Sequence, residues 1–212
     1  SYNLQYGTNF ISAMPTNLYG PGDSYDLIKS HVLPALIRKM HLGKCLSENG
    51  WVGLREDLTR WPVDGVDGKS SDKEILAVLG KHGIAENSIT LWGSGKPLRE
   101  FLHSDDMADA SVFLMESVDF ENLKCDGEVR NTHINIGTGK DISIADLARM
   151  VKGIVGFEGS ISWDTSKPDG MPRKCMDVSR MKKLGFSPRI TLREGVAQTV
   201  AEYRELKGKG KL

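Results

Sequence analysis

Met14-Pro15-Thr16-Asn17-Leu18-Tyr19-Gly20-Pro21-Gly22-Asp23, followed by Ser30-His31-Val32-Leu33-Pro34, is the stretch from which the fold is read. Apolar Phe10, Ile11, Ala13 and Met14 lead into it as a buried strand. Gly20, Pro21 and Gly22 end that strand with turn chemistry. Ser30 and His31 then open a helix. A strand that ends in a polar loop and feeds a helix is where open α/β sheets place their ligands.

Upstream, Ser1 to Gln5 reads as the tail of a helix, so the domain is expected to be incomplete. Asn9 to Leu18 is the strand. Ser30 to about Leu42 is the helix, with Ser30 as its cap and Val32, Leu33, Leu36, Ile37 and Met40 as its apolar stripe. Pro34 falls near the first turn, where proline is tolerated. Cys45 to Ser88 is broken by Gly50, Gly53, Gly65, Gly68 and Gly80 and reads as a partly helical surface insertion. Within it Ser71-Asp72-Lys73-Glu74 resembles a capping box ahead of Ile75, Leu76, Val78 and Leu79.

Downstream, Ile89 to Trp92 and Leu98 to His103 are short strands, and Ser104 caps a helix from Asp105 to about Ser117 with acids in its first turn. Asn122 to Arg130 is a polar loop, Thr132 to Ile136 a strand, and Ser143 opens a further helix. Ser160 to Trp163 is a strand, Asp164 to Arg173 a loop, and Asp177–Leu184 and Leu192–Leu206 are the last helices, ahead of a frayed Lys207 to Leu212. Helices and short strands alternate throughout, so the class is α/β or α+β.

Composition narrows the chemistry. The 212 residues carry 28 Lys+Arg and 28 Asp+Glu, so no basic excess serves a nucleic-acid backbone or an anionic membrane, and any anion site must be local. No apolar run is long enough to span a bilayer and no signal-peptide pattern opens the sequence. Cys45, Cys125 and Cys175 lie far apart, which suggests reduced thiols in a cytoplasm. His41 and Cys45 share a helix face, but two ligands do not make a zinc site, and no metal is expected.

Three patterns are decoys. Gly153-Ile154-Val155-Gly156-Phe157-Glu158-Gly159 has nucleotide-loop spacing, yet it follows a helix and precedes a strand, the reverse of a pyrophosphate loop. It reads as a glycine cap at a helix C-terminus. Gly137-Thr138-Gly139-Lys140 lacks Walker spacing. Tyr25/Lys29 and Tyr203/Lys207 match Y-x-x-x-K by spacing alone, a match that common residues make easily.

Asn17-Leu18-Tyr19-Gly20-Pro21-Gly22-Asp23, Arg99-Glu100-Phe101-Leu102-His103-Ser104-Asp105-Asp106 and Asn135-Ile136-Gly137-Thr138-Gly139 resemble the extended short-chain dehydrogenase/reductases that modify nucleotide sugars. Met14 to Pro21, Ser30 to Leu36, Trp92-Gly93-Ser94-Gly95 with Leu98 to Phe101, and Ser166-Lys167-Pro168-Asp169-Gly170 with Pro172-Arg173-Lys174 resemble the GDP-L-fucose synthase family within that group. The resemblance runs through nearly the whole chain except about Cys45 to Ser88.

It implies an α/β fold: the C-terminal, substrate-binding portion of a Rossmann-type dehydrogenase whose N-terminal cofactor-binding half is not in this sequence. Residues 1–30 would be the residual strand and active-site loop. Residues 31–212 would be the GDP-sugar region, with an insertion at 45–88 and elements 98–140 returning to the sheet. The family converts GDP-4-keto-6-deoxy-D-mannose to GDP-L-fucose by epimerisation at two carbons and reduction with NADPH. The glycine-rich loop, the Tyr/Lys pair and a catalytic Ser and Cys belong to the half not seen here, so reduction by this chain alone is not expected. The family is a cytoplasmic homodimer, and most of its interface would be missing.

Residue by residue, the resemblance makes His31 the acid of epimerisation, a role suited to an imidazole that titrates near neutrality. Pro15, Thr16, Asn17, Leu18 and His31 would lie along the nicotinamide end of NADP(H). A proline keeps that backbone from pairing as a central strand. Arg99 and Lys174 would neutralise the GDP phosphates, Trp92 would pack on sugar or base, and Asp169 would bind hydroxyls. Lys39 matches a family substrate cation, whereas helix geometry puts Arg38, nearly two turns beyond His31, closer to the histidine's face. Two other readings remain: another nucleotide-sugar epimerase or dehydratase, and a non-catalytic fragment kept for protein contacts.

Overall fold

The computed structural model describes residues 1–124, 129 and 131–206. The elements run α1 (Tyr2–Tyr6), β1 (Ala13–Pro15), β2 (Asn17–Tyr19), α2 (Val32–Ser47), α3 (Trp51–Arg60), α4 (Asp72–Lys81), β3 (Ile84–Ala85), β4 (Ser88–Trp92), β5 (Leu98–His103) and α5 (Ser104–Ser117). After a 3₁₀ turn at Phe120–Leu123 come β6 (Ile134–Ile136), β7 (Asp141–Ser143), α6 (Ile144–Val155), β8 (Ser160–Asp164), β9 (Arg173–Lys174), α7 (Ser179–Lys183) and α8 (Leu192–Leu206). They form two compact units, one of Ser1–Gly20, Leu98–Asp141 and Arg173–Leu192, the other of Pro21–Pro97, Ile142–Pro172 and the chain from Arg193.

The first unit is built on parallel pairings. β1 pairs with β6, from Ala13↔Ile134 to Pro15↔Ile136. β2 pairs with β5, from Asn17↔Phe101 to Tyr19↔His103. The chain changes partner at Thr16, whose N–H donates to the Ile136 carbonyl at 3.0 Å and whose hydroxyl reaches the Glu100 carbonyl at 3.4 Å. The single strand expected over Asn9 to Leu18 is therefore two short strands on two neighbours, and Pro15, with no N–H to give, stands just before the change. β5 also pairs with β9, which begins at Arg173, the last residue of the expected loop. Leu102, Ala110, Leu114, Val118, Ile134, Ile136, Met181 and Phe186 form the core, each large one worth about 1.5–3 kcal/mol on burial. α5 begins at Ser104, and its cap is His103, whose Nδ1 accepts the Asp105 N–H at 3.3 Å, rather than the expected Ser104. The helix expected from Asp177 is only Ser179–Lys183, with Asp177 outside it accepting the Ser179 N–H.

In the second unit, β4 pairs with β3 antiparallel and with β8 in parallel. α2 starts at Val32 with His31, not the expected Ser30, as its cap, and it continues to Ser47, because Leu46 extends the buried stripe past the expected end at Leu42. Segment 45–88 is not a surface appendage: Leu54, Leu58, Ile75, Leu79 and Ile84 are wholly or almost wholly buried. The Ser71–Glu74 capping box forms as the sequence indicates, and Ser143 caps α6 through the Asp146 N–H. Gly156, at φ 75°, is the left-handed cap of α6, which disposes of the nucleotide-loop pattern around it. Tyr25 is fully buried, as is Tyr203, and Lys207 lies outside the described residues. Cys125 and most of the expected loop beyond Lys124 also lie outside them, as does the frayed terminus.

Candidate functional site

The first unit presents a pair of cations on one strand face. Arg99 and Lys174 are register partners on parallel strands, so their side chains leave the ladder on the same side. Arg99 is half-buried and donates to the Leu98 carbonyl at 2.8 Å, and Lys174 is exposed. Arg173, one residue before Lys174, is spent on Asp141 at 2.5 Å. A guanidinium beside an ammonium suits a diphosphate.

Glu100 holds that pair in place, and sequence reasoning did not single it out. Its carboxylate is fully buried in the first unit. Oε1 accepts the Gly139 N–H at 2.7 Å and lies 3.4 Å from the Thr138 hydroxyl, and Oε2 accepts the Met176 N–H at 2.7 Å. The Gly137-Thr138-Gly139 turn is thus filled by an internal anion, and Met176 ties the end of β9 to β5. The available signal was a glutamate between Arg99 and the apolar Phe101-Leu102 pair, where a buried charge demands partners.

Along the expected cofactor segment, Pro15 and Leu18 are exposed while Thr16 is 6% exposed. The Asn17 amide donates to the Glu100 carbonyl at 2.6 Å, so its side chain serves the strand pairing. That leaves exposed Pro15 and Leu18 as the surface this segment offers to a planar ring.

The second unit carries the other candidates. His31 is exposed at the start of α2, in extended backbone with φ −67° and ψ 164°. Arg38 does not face a ligand: it is fully buried, bonded to Asp57 at 2.9 Å, to the Tyr25 carbonyl at 2.9 Å and to the Trp61 carbonyl. Arg38 shares the histidine's helix face but turns inward to these internal partners. Lys39 is half-buried, donates to the His82 carbonyl at 2.7 Å, and has its ammonium pKa pushed down by burial.

Trp92 ends β4 with 73% of its surface exposed, so it is no core residue, and the Lys167 ammonium sits 5.7 Å from its ring centre. Asp169 closes the turn after it, taking the Ser94 N–H at 2.5 Å and the Ser94 hydroxyl at 2.7 Å. These bonds, the backbone one first, hold its carboxyl below the usual carboxylate range. Gly93 between them has φ +81°, and a Cβ there would stand 2.4 Å from the Asp169 carboxylate. His41 and Cys45 do meet, at 3.2 Å, but no cluster able to hold a metal exists among the described residues. No helix among them is long and apolar enough to cross a membrane.

GDP-L-fucose synthase 1 of Arabidopsis thaliana is 40% identical over 203 residues, covering 96% of this chain and 48% of the relative. A solved GDP-6-OMe-4-keto-L-xylo-heptose reductase from C. jejuni superposes with a TM-score of 0.88 at 43% identity, covering 97% of this chain and 56% of that one. GDP-mannoheptose C4 reductase from Campylobacter jejuni, solved with NADP bound, gives 0.81 at 41%, covering 96% and 55%. The chain spans about half the length of the relatives it matches. The model of the NAD dependent epimerase/dehydratase family matches residues 1–61 and 64–137, and the chain belongs to that family.

Proposed function

We propose that this chain carries the GDP-sugar-handling portion of a GDP-L-fucose synthase, acting in the cytoplasm on GDP-4-keto-6-deoxy-D-mannose. The observation that carries the reading is the Arg99–Lys174 register pair, a local concentration of positive charge in a chain with no net charge. In this reading the two cations hold the diphosphate, exposed Trp92 packs on the base or sugar, and His31 delivers a proton to the carbon beside the ketone. Asp169 orders the Trp92 turn through Ser94, and Lys39 contributes a cation next to the substrate.

NADPH supplies the hydride for the ketone when it is bound in the whole enzyme. Pro15 and Leu18 would line its nicotinamide end, with Thr16 and Asn17 fixing their backbone. The test is nucleotide preference: calorimetric titration should give tighter binding of GDP than of UDP or dTDP. Equal affinities would overturn the guanine assignment.

A second reading, a GDP-heptose 4-reductase, is favoured by the Campylobacter structures, which match at 41% and 43% identity. Titration with GDP-L-fucose against a GDP-heptose separates the two, since each site should prefer its own product.

A further inference from the structure

The loop leading into His31 is pinned from two directions inside the second unit. Arg38, on the helix that His31 caps, reaches back and donates from Nη1 to the Tyr25 carbonyl at 2.9 Å. The same guanidinium is fixed by Asp57 at 2.9 Å, and Asp57 in turn accepts the Tyr203 hydroxyl. The Tyr25 ring packs on Tyr203 at 4.5 Å and on Trp61 at 5.4 Å between centroids. At the loop's other end, Glu202 of α8 accepts the Gly22 N–H at 3.1 Å.

Between Tyr25 and His31 the backbone has little freedom left. Asp26 accepts the Ile28 and Lys29 N–H groups at 2.7 and 2.9 Å, and its carbonyl accepts the Ser30 N–H at 3.0 Å. Tyr25, Asp26, Ser30, His31 and Arg38 therefore close a ring: carbonyl to guanidinium, guanidinium to helix, helix back to His31. A helix start held by such a ring keeps its backbone direction, and with it the place from which the exposed His31 side chain sets out toward a ligand.

We propose that Arg38 and Glu202 are positioning residues for His31: Arg38 through the Tyr25 carbonyl and Glu202 through the Gly22 N–H clasp the loop that aims the imidazole. This rests on the role proposed above for His31, and it adds two residues that touch neither sugar nor cofactor. It also gives buried Arg38, which the helix-face argument offered to the substrate, a different task.

The test uses the 212-residue chain without ligand. Amide exchange is followed at Gly22 and Ile28–Ser30, together with the NMR signals of the His31 ring. Glu202→Ala should speed Gly22 exchange about tenfold, as the loss of one hydrogen bond to a charged acceptor implies, and shift the His31 ring signals away from those of the parent chain. Glu202→Gln keeps an oxygen acceptor and should restore both. Arg38→Lys, which keeps the charge facing Asp57 but loses the reach to Tyr25, should speed exchange across Ile28–Ser30 about tenfold or more while α6 stays protected. If Arg38→Lys does not fold, the Glu202 pair decides. Unchanged His31 signals in Glu202→Ala, or equal loss in Glu202→Ala and Glu202→Gln, overturns the proposal. Failure of GDP to bind bears on the nucleotide reading and leaves these unliganded signals untouched, so the two failures are distinguishable.

Discussion

Glu100→Gln is the perturbation that most sharply separates a structural carboxylate from a surface one. Each carboxylate oxygen takes a backbone N–H at 2.7 Å, from Gly139 on one side and Met176 on the other, in a fully buried position. A glutamine has one oxygen and one NH₂, so one N–H must face another donor. A hydrogen bond to a charged group is worth about 1.5–3 kcal/mol, and the stranded N–H is costly as well, so the loss should be about 2–4 kcal/mol. At roughly 2–4 °C per kcal/mol for a chain of this size, the melting temperature should fall by about 4–16 °C. Differential scanning calorimetry reads this directly. The same variant frees Met176 and with it the end of β9, so affinity for GDP should drop although no cation has been touched. A melting temperature within about 1 °C of the parent, with GDP affinity unchanged, would refute the claim that Glu100 organises this part of the first unit.

Three further outcomes follow from single residues. Gly93→Ala puts a side chain at φ +81° and into Asp169, which should cost at least about 1–2 kcal/mol and shift the fluorescence of the adjacent Trp92; unaltered emission and stability would count against the turn described. Ser71→Ala removes the side-chain half of the capping box on α4 and should cost about 1 kcal/mol in urea unfolding. Burial pushes the Asp23 carboxyl above the usual carboxylate range, so the folded chain holds that proton more tightly than the unfolded chain. Stability from this group is present at acid pH and lost as pH rises through the raised value. Asp23→Asn should therefore gain stability over the parent near pH 7 and not near pH 3, at roughly the two ends of the carboxylate titration; equal differences at both values would contradict it.

Local chemistry made some elements legible. The capping box at Ser71–Glu74, the Ser143 cap and the full extent of α8 rest on residues a few positions apart, and they form where the pattern puts them. The rest needed distant partners. Two-residue strands such as β3 and β9 have no periodicity to read, and they exist because β4 and β5 offer them an edge. Helix geometry alone puts Arg38 near the face of His31, because its true partner Asp57 lies 19 residues away, and Tyr203, which shares that carboxylate, is 146 residues beyond Asp57. The change of strand partner at Thr16 is equally silent in sequence. Among the site candidates, the Arg99–Lys174 pairing came from a family resemblance and not from spacing, since the two residues are adjacent only through β9.

The most direct measurement is a calorimetric titration of the intact chain with GDP, run beside Arg99→Ala and Lys174→Ala. Saturable binding that each substitution weakens by about tenfold or more is the expected result, given the strength of charge-assisted contacts to phosphate. A folded chain that takes up no GDP, or binds it equally well without either cation, would contradict a nucleotide-sugar site on this protein.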